Sequence, residues 1–196
     1  KKISEGLPKK WISRIVASDY DPATVYVSMT GYREDDFTAY LYRSTDFGAT
    51  WKSIANNLPS ESINVIREDP QNANLLYVGT DAGVYVSLDR GANWQSLCAD
   101  LPTTPVHDLV IHPREHELII ATHGRSMFMM DVRPLQMLNS QNTATDLHVF
   151  DVRPVKLKWR VTREVEPFPP RGRARIHYWL KEKQAVTVTI SKSDGQ

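Results

Sequence analysis

Ser44-Thr45-Asp46-Phe47-Gly48-Ala49-Thr50-Trp51 returns further along the chain as Ser87-Leu88-Asp89-Arg90-Gly91-Ala92-Asn93-Trp94. Each copy follows a short apolar run with an aromatic in it, Tyr40-Leu41-Tyr42 or Val84-Tyr85-Val86, which is a strand signal. Asp and Gly two residues apart are the chemistry of a tight reversal. The carboxylate accepts hydrogen bonds from turn amides, and glycine takes a positive φ without a Cβ clash. The serine hydroxyl offers a second local bond to the backbone. The tryptophan brings a large ring to bury and an indole N–H that needs an acceptor. Both copies are expected to be hairpin turns.

Outward from these copies a longer repeat is visible. Leu7-Pro8, Leu58-Pro59 and Leu101-Pro102 each open a unit and are followed by apolar stretches, Trp11 to Ala17, Ile63 to Ile66 and Val106 to Ile111. Each stretch runs into a residue-Pro turn, at Asp21-Pro22, Asp69-Pro70 or His112-Pro113, and then a second strand such as Val25-Tyr26-Val27. Units of roughly 40 to 50 residues with several short strands, and no heptads, describe propeller blades. The expectation is an all-β chain: a partial β-propeller of four-stranded antiparallel blades at residues 1–136, with blades at 7–57, 58–100 and 101–136. Fourth strands are expected at Trp51 to Ile54 and Trp94 to Leu97. In the third unit, aligning Thr122-His123-Gly124-Arg125 with Thr80-Asp81-Ala82-Gly83 sets Asp131 opposite Asp89, but Val132-Arg133-Pro134 follows, so the reversal is lost. A strand from upstream of Lys1 is expected to complete that blade, and Met127-Phe128-Met129-Met130 to be its buried third strand.

Beyond Leu135 the pattern changes. Residues 137–173 read as a linker or meander, rich in proline and basic residues. Alternating strands at Arg175 to Leu180 and Ala185 to Ser191, with Asp194-Gly195 as a hairpin turn, read as the start of a β-sandwich-like domain over 174–196. The chain has 196 residues and 41% hydrophobic content, an ordinary globular composition. Lys and Arg number 24 against 23 Asp and Glu, which supplies no field to attract nucleic acid. Glu164 and Glu166 sit within the basic stretch, which reads as solvated linker. The single Cys98 has no partner for a disulfide and reads as a packed residue; no Cys and His set has zinc-ligand spacing, and no apolar run spans a membrane. His107, His112, His116 and His123 are close in sequence, but on a blade they fall on different strands and turns, so neither a metal nor a cofactor is expected. Lys1-Lys2-Ile3 opens in mid-pattern, as an excised segment would.

The Ser44–Trp51 and Ser87–Trp94 copies resemble the Asp-box, the bacterial neuraminidase repeat S-x-D-x-G-x-x-W. Ala121-Thr122-His123-Gly124-Arg125, Asp131 to Gln136 and His148-Val149-Phe150 are similar to the end of sortilin-type, glycosyl-hydrolase-like bacterial exoproteins. The likeness covers the repeat region well and the remainder loosely. It implies a secreted, periplasmic or cell-surface protein, and a structural role on the blade rim for Ser44, Asp46, Gly48, Trp51, Ser87, Asp89, Gly91 and Trp94, away from any ligand. A fold of this kind hosts many functions.

Function must then come from the face formed by the loops between second and third strands and the first residues of the inner strands. That face is expected to gather Tyr32, Arg33, Glu34, Asp35, Asp36, Asp81, His123 and Arg125, with Asn64, His107 and Asp108 near the central channel. A glycosidase needs two carboxylates roughly 5 to 10 Å apart across the scissile bond, and no spacing here singles out such a pair. Two functions follow: a binding or scaffold module offering its propeller face to a protein, peptide or glycan, or part of a glycoside hydrolase whose catalytic residues lie largely outside this chain. Nucleic acid is not an expected partner; the remainder of the propeller is.

Overall fold

The computed structural model describes residues 2–97, 101–152 and 174–191. Cys98, most of the expected linker and the Asp194-Gly195 turn lie outside them. The chain divides into two compact units, residues 1–137 and 138–196. The first unit holds three antiparallel sheets. Blade 1 runs β1 (Trp11–Ala17), β2 (Val25–Gly31), β3 (Asp36–Ser44) and β4 (Lys52–Ser53); blade 2 runs β5 (Ile63–Glu68), β6 (Leu76–Thr80), β7 (Val84–Ser87) and β8 (Gln95–Ser96). Blade 3 has three strands, β9 (Val106–His112), β10 (Glu117–Thr122) and β11 (Met127–Asp131). The fold is the expected all-β one with four-stranded antiparallel blades. The fourth strands are shorter than their sequence suggests, although Ile54 and Leu97 extend the pairing through bonds from their amides to Leu41 O and Val84 O.

Burial follows from strand alternation. Tyr26 and Leu41 of blade 1 meet Ile63, Ile66, Leu76 and Val78 of blade 2. On the far side of blade 2, Val65, Tyr77, Val84 and Val86 pack with Val106, Leu109, Leu118 and Ile120 of blade 3. Gly79 lies at this second seam, where a Cβ would stand 2.7 Å from Cγ1 of both Val65 and Val106.

The two Asp motifs fold alike. Ser44 Oγ donates to Asp46 Oδ1 at 2.7 Å and accepts from the Gly48 amide at 2.9 Å, while Asp46 Oδ1 accepts from the amides of Ala49 and Thr50. The Thr50 hydroxyl closes the turn on Asp46 Oδ2 at 2.6 Å. In the second copy the Asn93 side chain replaces that hydroxyl, donating to Asp89 Oδ2 at 2.8 Å. Gly48 and Gly91 have φ of 78° and 86°, and the residues before them, Phe47 and Arg90, are left-handed as well at 58°. Phe47 and Arg90 donate their amides to Ala23 O and Asn74 O, which anchors each motif on the turn between the first two strands of its own blade.

The structure corrects three details. The position of Asp69 and His112 is taken in blade 1 by Ser18 rather than Asp21, since Ser18 Oγ, Asp69 Oδ1 and His112 Nδ1 each accept the amides two and three positions on, while Asp21 accepts the Ala23 amide in a turn of its own. In blade 3, Met130 pairs with Leu118 as Ser87 pairs with Leu76, so buried Val132 and not Asp131 takes the place of Asp89. From there the chain turns into α1 (Arg133–Gln136), with Pro134 in its first turn. β11 is half-buried, and Met127 is 71% exposed, because no fourth strand pairs with it among the described residues.

In the second unit, residues 138–149, expected within a linker, hold α2 (Ser140–Thr143) and β12 (Leu147–Val149). Asn139 caps α2 by accepting the amides of Gln141 and Asn142, and the Asn142 side chain accepts the Asn139 amide in return. β12 pairs antiparallel with β13 (Tyr178–Leu180). Among the described residues the expected strand at Ala185 to Ser191 does not form, and the segment is exposed, with Ile190 at 83%. No helix among the described residues is long and apolar enough to cross a membrane.

Candidate functional site

The inner strands β1, β5 and β9 lie side by side. Their first residues share an end of the unit with the loops between second and third strands, because Trp11 pairs with Thr30, Ile63 with Thr80 and Val106 with Thr122. The Asp motifs follow third strands and therefore lie at the opposite end. The mouth and the structural turns are thus separated by the length of a strand.

In blade 1 the mouth is aromatic and cationic. Gly31 permits the chain to leave β2 closely, since a Cβ there would sit 2.9 Å from Asp36 Cβ. The chain then makes one 3-10 turn, Tyr32–Glu34, closed by Asp35 in the left-handed conformation at φ 55°. That turn sets the Arg33 guanidinium 5.2 Å from the centre of the Trp11 ring and 5.7 Å from that of Tyr32. Trp11, Tyr32 and Phe37 are all at least half-exposed. Lys10 Nζ bridges Glu34 at 2.6 Å and Asp36 at 2.7 Å, and the Tyr40 hydroxyl donates to Asp36 Oδ2. Bonds from Lys10 first, then Tyr40 and Thr38, hold the Asp36 carboxyl well below the usual carboxylate range, and the same pairing raises the Lys10 ammonium.

In blade 2, Asn64 Nδ2 donates to Asp81 Oδ1 at 2.9 Å, and Glu61 accepts the Thr80 hydroxyl at 2.6 Å. In blade 3 the His107 and His123 rings approach to 5.1 Å in a tilted arrangement, and the His123 amide bonds to Pro105 O. Arg125 is exposed in the turn after left-handed Gly124. Asp108 lies further along β9 and joins all three blades: its Oδ1 accepts from Arg14 Nη2 at 3.0 Å and Arg67 Nη2 at 2.8 Å. Burial lowers the Arg67 guanidinium, with Asp108 opposing and Arg14 adding to the shift.

Asn64 with Asp81 and His107 with His123 form local pairs, Asp36 is held by Lys10 and Asp108 lies between Arg14 and Arg67, while Asp35 and Arg125 sit on exposed turns. Lys10, Trp11, Arg14 and Arg67 were not singled out from the sequence. A charged residue on each of two successive inner strands, Arg14 and Arg67, is the signal that would have found the last pair. Glu34, Asp36, Asp81 and Asp108 are each engaged by a cation or an amide. No group of three or more metal-ligating side chains occurs among the described residues.

The profile of the Sortilin-Vps10 family, described as sortilin, neurotensin receptor 3, matches residues 39–188. The chain belongs to this family. No curated protein matches the chain. Among solved structures, the GH74 enzyme of Niastella koreensis superposes with a TM-score of 0.51 at 15% identity, covering 62% of this chain and 20% of that one. The GH74 xyloglucanase of Xanthomonas campestris gives 0.49 at 15% identity, covering 62% and 21%. This Sortilin-Vps10 chain spans about a fifth of the length of those enzymes, and at such identity the likeness to the first concerns the fold alone.

Proposed function

We propose that this chain is part of a binding module of a secreted, periplasmic or surface protein, and that it receives a peptide, protein or glycan at the mouth of its blades. The observation that carries this reading is the exposed rings of Trp11 and Tyr32, with the Arg33 guanidinium over the Trp11 ring and its Nε donating to the Tyr32 hydroxyl at 3.1 Å. Flat aromatic faces beside a guanidinium hold peptide side chains or sugar rings through apolar contact and hydrogen bonds at little entropic cost. The carboxylates around them support binding over hydrolysis. A glycosidase acid and its partner must face each other across a bond, whereas Asp36 is held by Lys10 and Asp108 by Arg14 and Arg67.

The test is calorimetric titration of the chain with neurotensin, the peptide in the family's description, and with xyloglucan oligosaccharides. Saturable binding of either one, weakened about tenfold or more by Trp11→Ala, agrees with the proposal. Release of reducing sugar from xyloglucan, abolished by Asp36→Asn or Asp108→Asn, would replace it with the hydrolase reading. Binding unaffected by Trp11→Ala would move the site away from this mouth.

A further inference from the structure

The two seams between blades differ at the end that carries the Asp motifs, and four positions there correspond through the register. The carbonyls of Thr24 and Leu75 accept the amides of the equivalent residues Ser18 and Asp69. Arg43 pairs with Tyr26 as Val86 pairs with Tyr77, and Thr45 and Leu88 follow the serines of the two motifs. Glu68 pairs with Leu76 as Ile111 pairs with Leu118. At the second seam the set is Leu75, Val86, Leu88 and Ile111, packed in one apolar cluster that Leu135 joins. At the first seam it is Thr24, Arg43, Thr45 and Glu68, and they line a cleft of about 200 Å³ instead.

The charges around this cleft are oriented but not neutralised. Glu68 Oε1 accepts from Ser18 Oγ at 2.9 Å and from the Tyr26 hydroxyl at 3.0 Å, and Oε2 accepts the Asp19 amide at 2.9 Å. All three donors are neutral, so they fix the carboxylate without cancelling its charge. Asp21 is held likewise by the Ala23 amide and the Thr24 hydroxyl. The same cleft is lined by two guanidiniums, Arg43 and Arg90. Arg90 stands in the second motif where the first has Phe47, and its carbonyl accepts from Arg43 Nη1 at 3.1 Å. Bonds from Thr24 and Ala23 lower the Asp21 carboxyl, and the Arg90 charge adds to that shift. Yet among the described residues neither arginine forms an ion pair with a carboxylate. Charged groups where an equivalent seam is filled by apolar side chains lower stability, and such departures from a fold's own pattern mark functional sites.

We propose that this cleft binds a small zwitterion of the α-amino acid class, its carboxylate on Arg43 and Arg90 and its ammonium on Glu68 and Asp21. An anion alone would meet two carboxylates and a cation alone two guanidiniums, whereas a molecule bearing both charges meets each with its opposite. Guanidinium bonds to a carboxylate are charge-assisted and directional, and Glu68 and Asp21 keep acceptor lone pairs beyond the bonds they already make. The volume holds about seven waters at about 30 Å³ each, and so a solute of about that many non-hydrogen atoms, which suits amino acids with short side chains. The mouth lies at the other end of the strands, so this site is independent of the function proposed above.

The test titrates the full chain with alanine, serine, threonine and asparagine, and with acetate and ethylammonium, which carry one charge each, read by calorimetry and ligand-observed NMR. At least one amino acid binds saturably, and acetate and ethylammonium bind at least about tenfold more weakly. Arg90→Ala, at an exposed side chain, and Glu68→Gln, which keeps the shape, each weaken binding about tenfold or more. The combined variant Thr24→Leu, Arg43→Val, Thr45→Leu and Glu68→Ile, its fold checked by circular dichroism, carries the residues of the second seam and abolishes binding. Saturation by none of the four amino acids would overturn the proposal. So would acetate binding as tightly as the amino acid, binding untouched by both Arg90→Ala and Glu68→Gln, or a folded combined variant that still binds.

Discussion

Two tryptophans make the same bond in different surroundings, and their removal should cost different amounts. Trp94 is 4% exposed, packed among Ile54, Ile63, Ile66 and Leu76, with its indole N–H on Ile54 O. Trp94→Ala empties a ring-sized volume at a seam between blades and leaves that carbonyl without its donor. Truncating a buried aromatic costs about 3 to 5 kcal/mol, and the lost bond contributes about 1 kcal/mol of that order, so a loss of about 4 kcal/mol is expected. Trp51 donates to Ile3 O in the same way but is only half-buried in an open groove. It makes about half the contacts of a buried ring, and Trp51→Ala should cost about 2 kcal/mol or less. Urea unfolding followed by far-ultraviolet circular dichroism reads both values without relying on the removed fluorophores. A Trp51→Ala cost equal to or above that of Trp94→Ala would refute the equivalence drawn between the two motifs and the burial difference behind it.

The remaining predictions concern the turns and the seam. Hydrogen bonds from the Thr50 side chain and amide, and then from Ser44, hold the Asp46 carboxyl at about 2, below its ordinary 3.8. Asp89 is lowered too, since its bonds from Asn93, Ser87 and the Ala92 amide outweigh the opposing effect of burial. A carboxylate depressed on folding contributes stability above its unfolded value, lost as the pH falls through the folded one. The melting temperature should therefore drop between about pH 4 and pH 2, and Asp46→Asn should flatten that slope; an identical slope in the variant would count against the turn as its source. Gly79→Ala forces a methyl to within 2.7 Å of Val65 and Val106. Overpacking at such a site costs about 1 to 3 kcal/mol, and a neutral effect in urea unfolding would mean that β6 and β9 do not approach as described.

Much of the fold was legible because blade chemistry is local. Each Asp motif contains its own acceptor, donor and left-handed glycine, and each inner strand declares itself by apolar content after Leu-Pro. What local pattern could not reveal was register. Ser18 takes the capping role of Asp69, although Asp21-Pro22 looks like the matching turn, because capping needs only an acceptor at the right step and a hydroxyl, a carboxylate and an imidazole nitrogen all serve. Val132 replaces Asp89 because the pairing of Met130 with Leu118 sets the count. The segment Ala185 to Ser191 has strand-like alternation, but a strand needs a partner as well as a pattern. The mouth was legible as a location and not as a chemistry. Arg14, Arg67 and Asp108 are far apart in sequence and meet only because three inner strands lie side by side, and the stacking of Arg33 on Trp11 depends on a 3-10 turn that no motif announced.

The account rests on the mouth being a binding surface whose carboxylates are neutralised in place, and a crystal structure of the chain with a bound peptide or oligosaccharide tests this most directly. The predicted result is ligand density against the Trp11 and Tyr32 rings, with Asp36 still on Lys10 and Asp108 still between Arg14 and Arg67. Ligand held between two carboxylates released from those cations and facing each other across a glycosidic bond would contradict it.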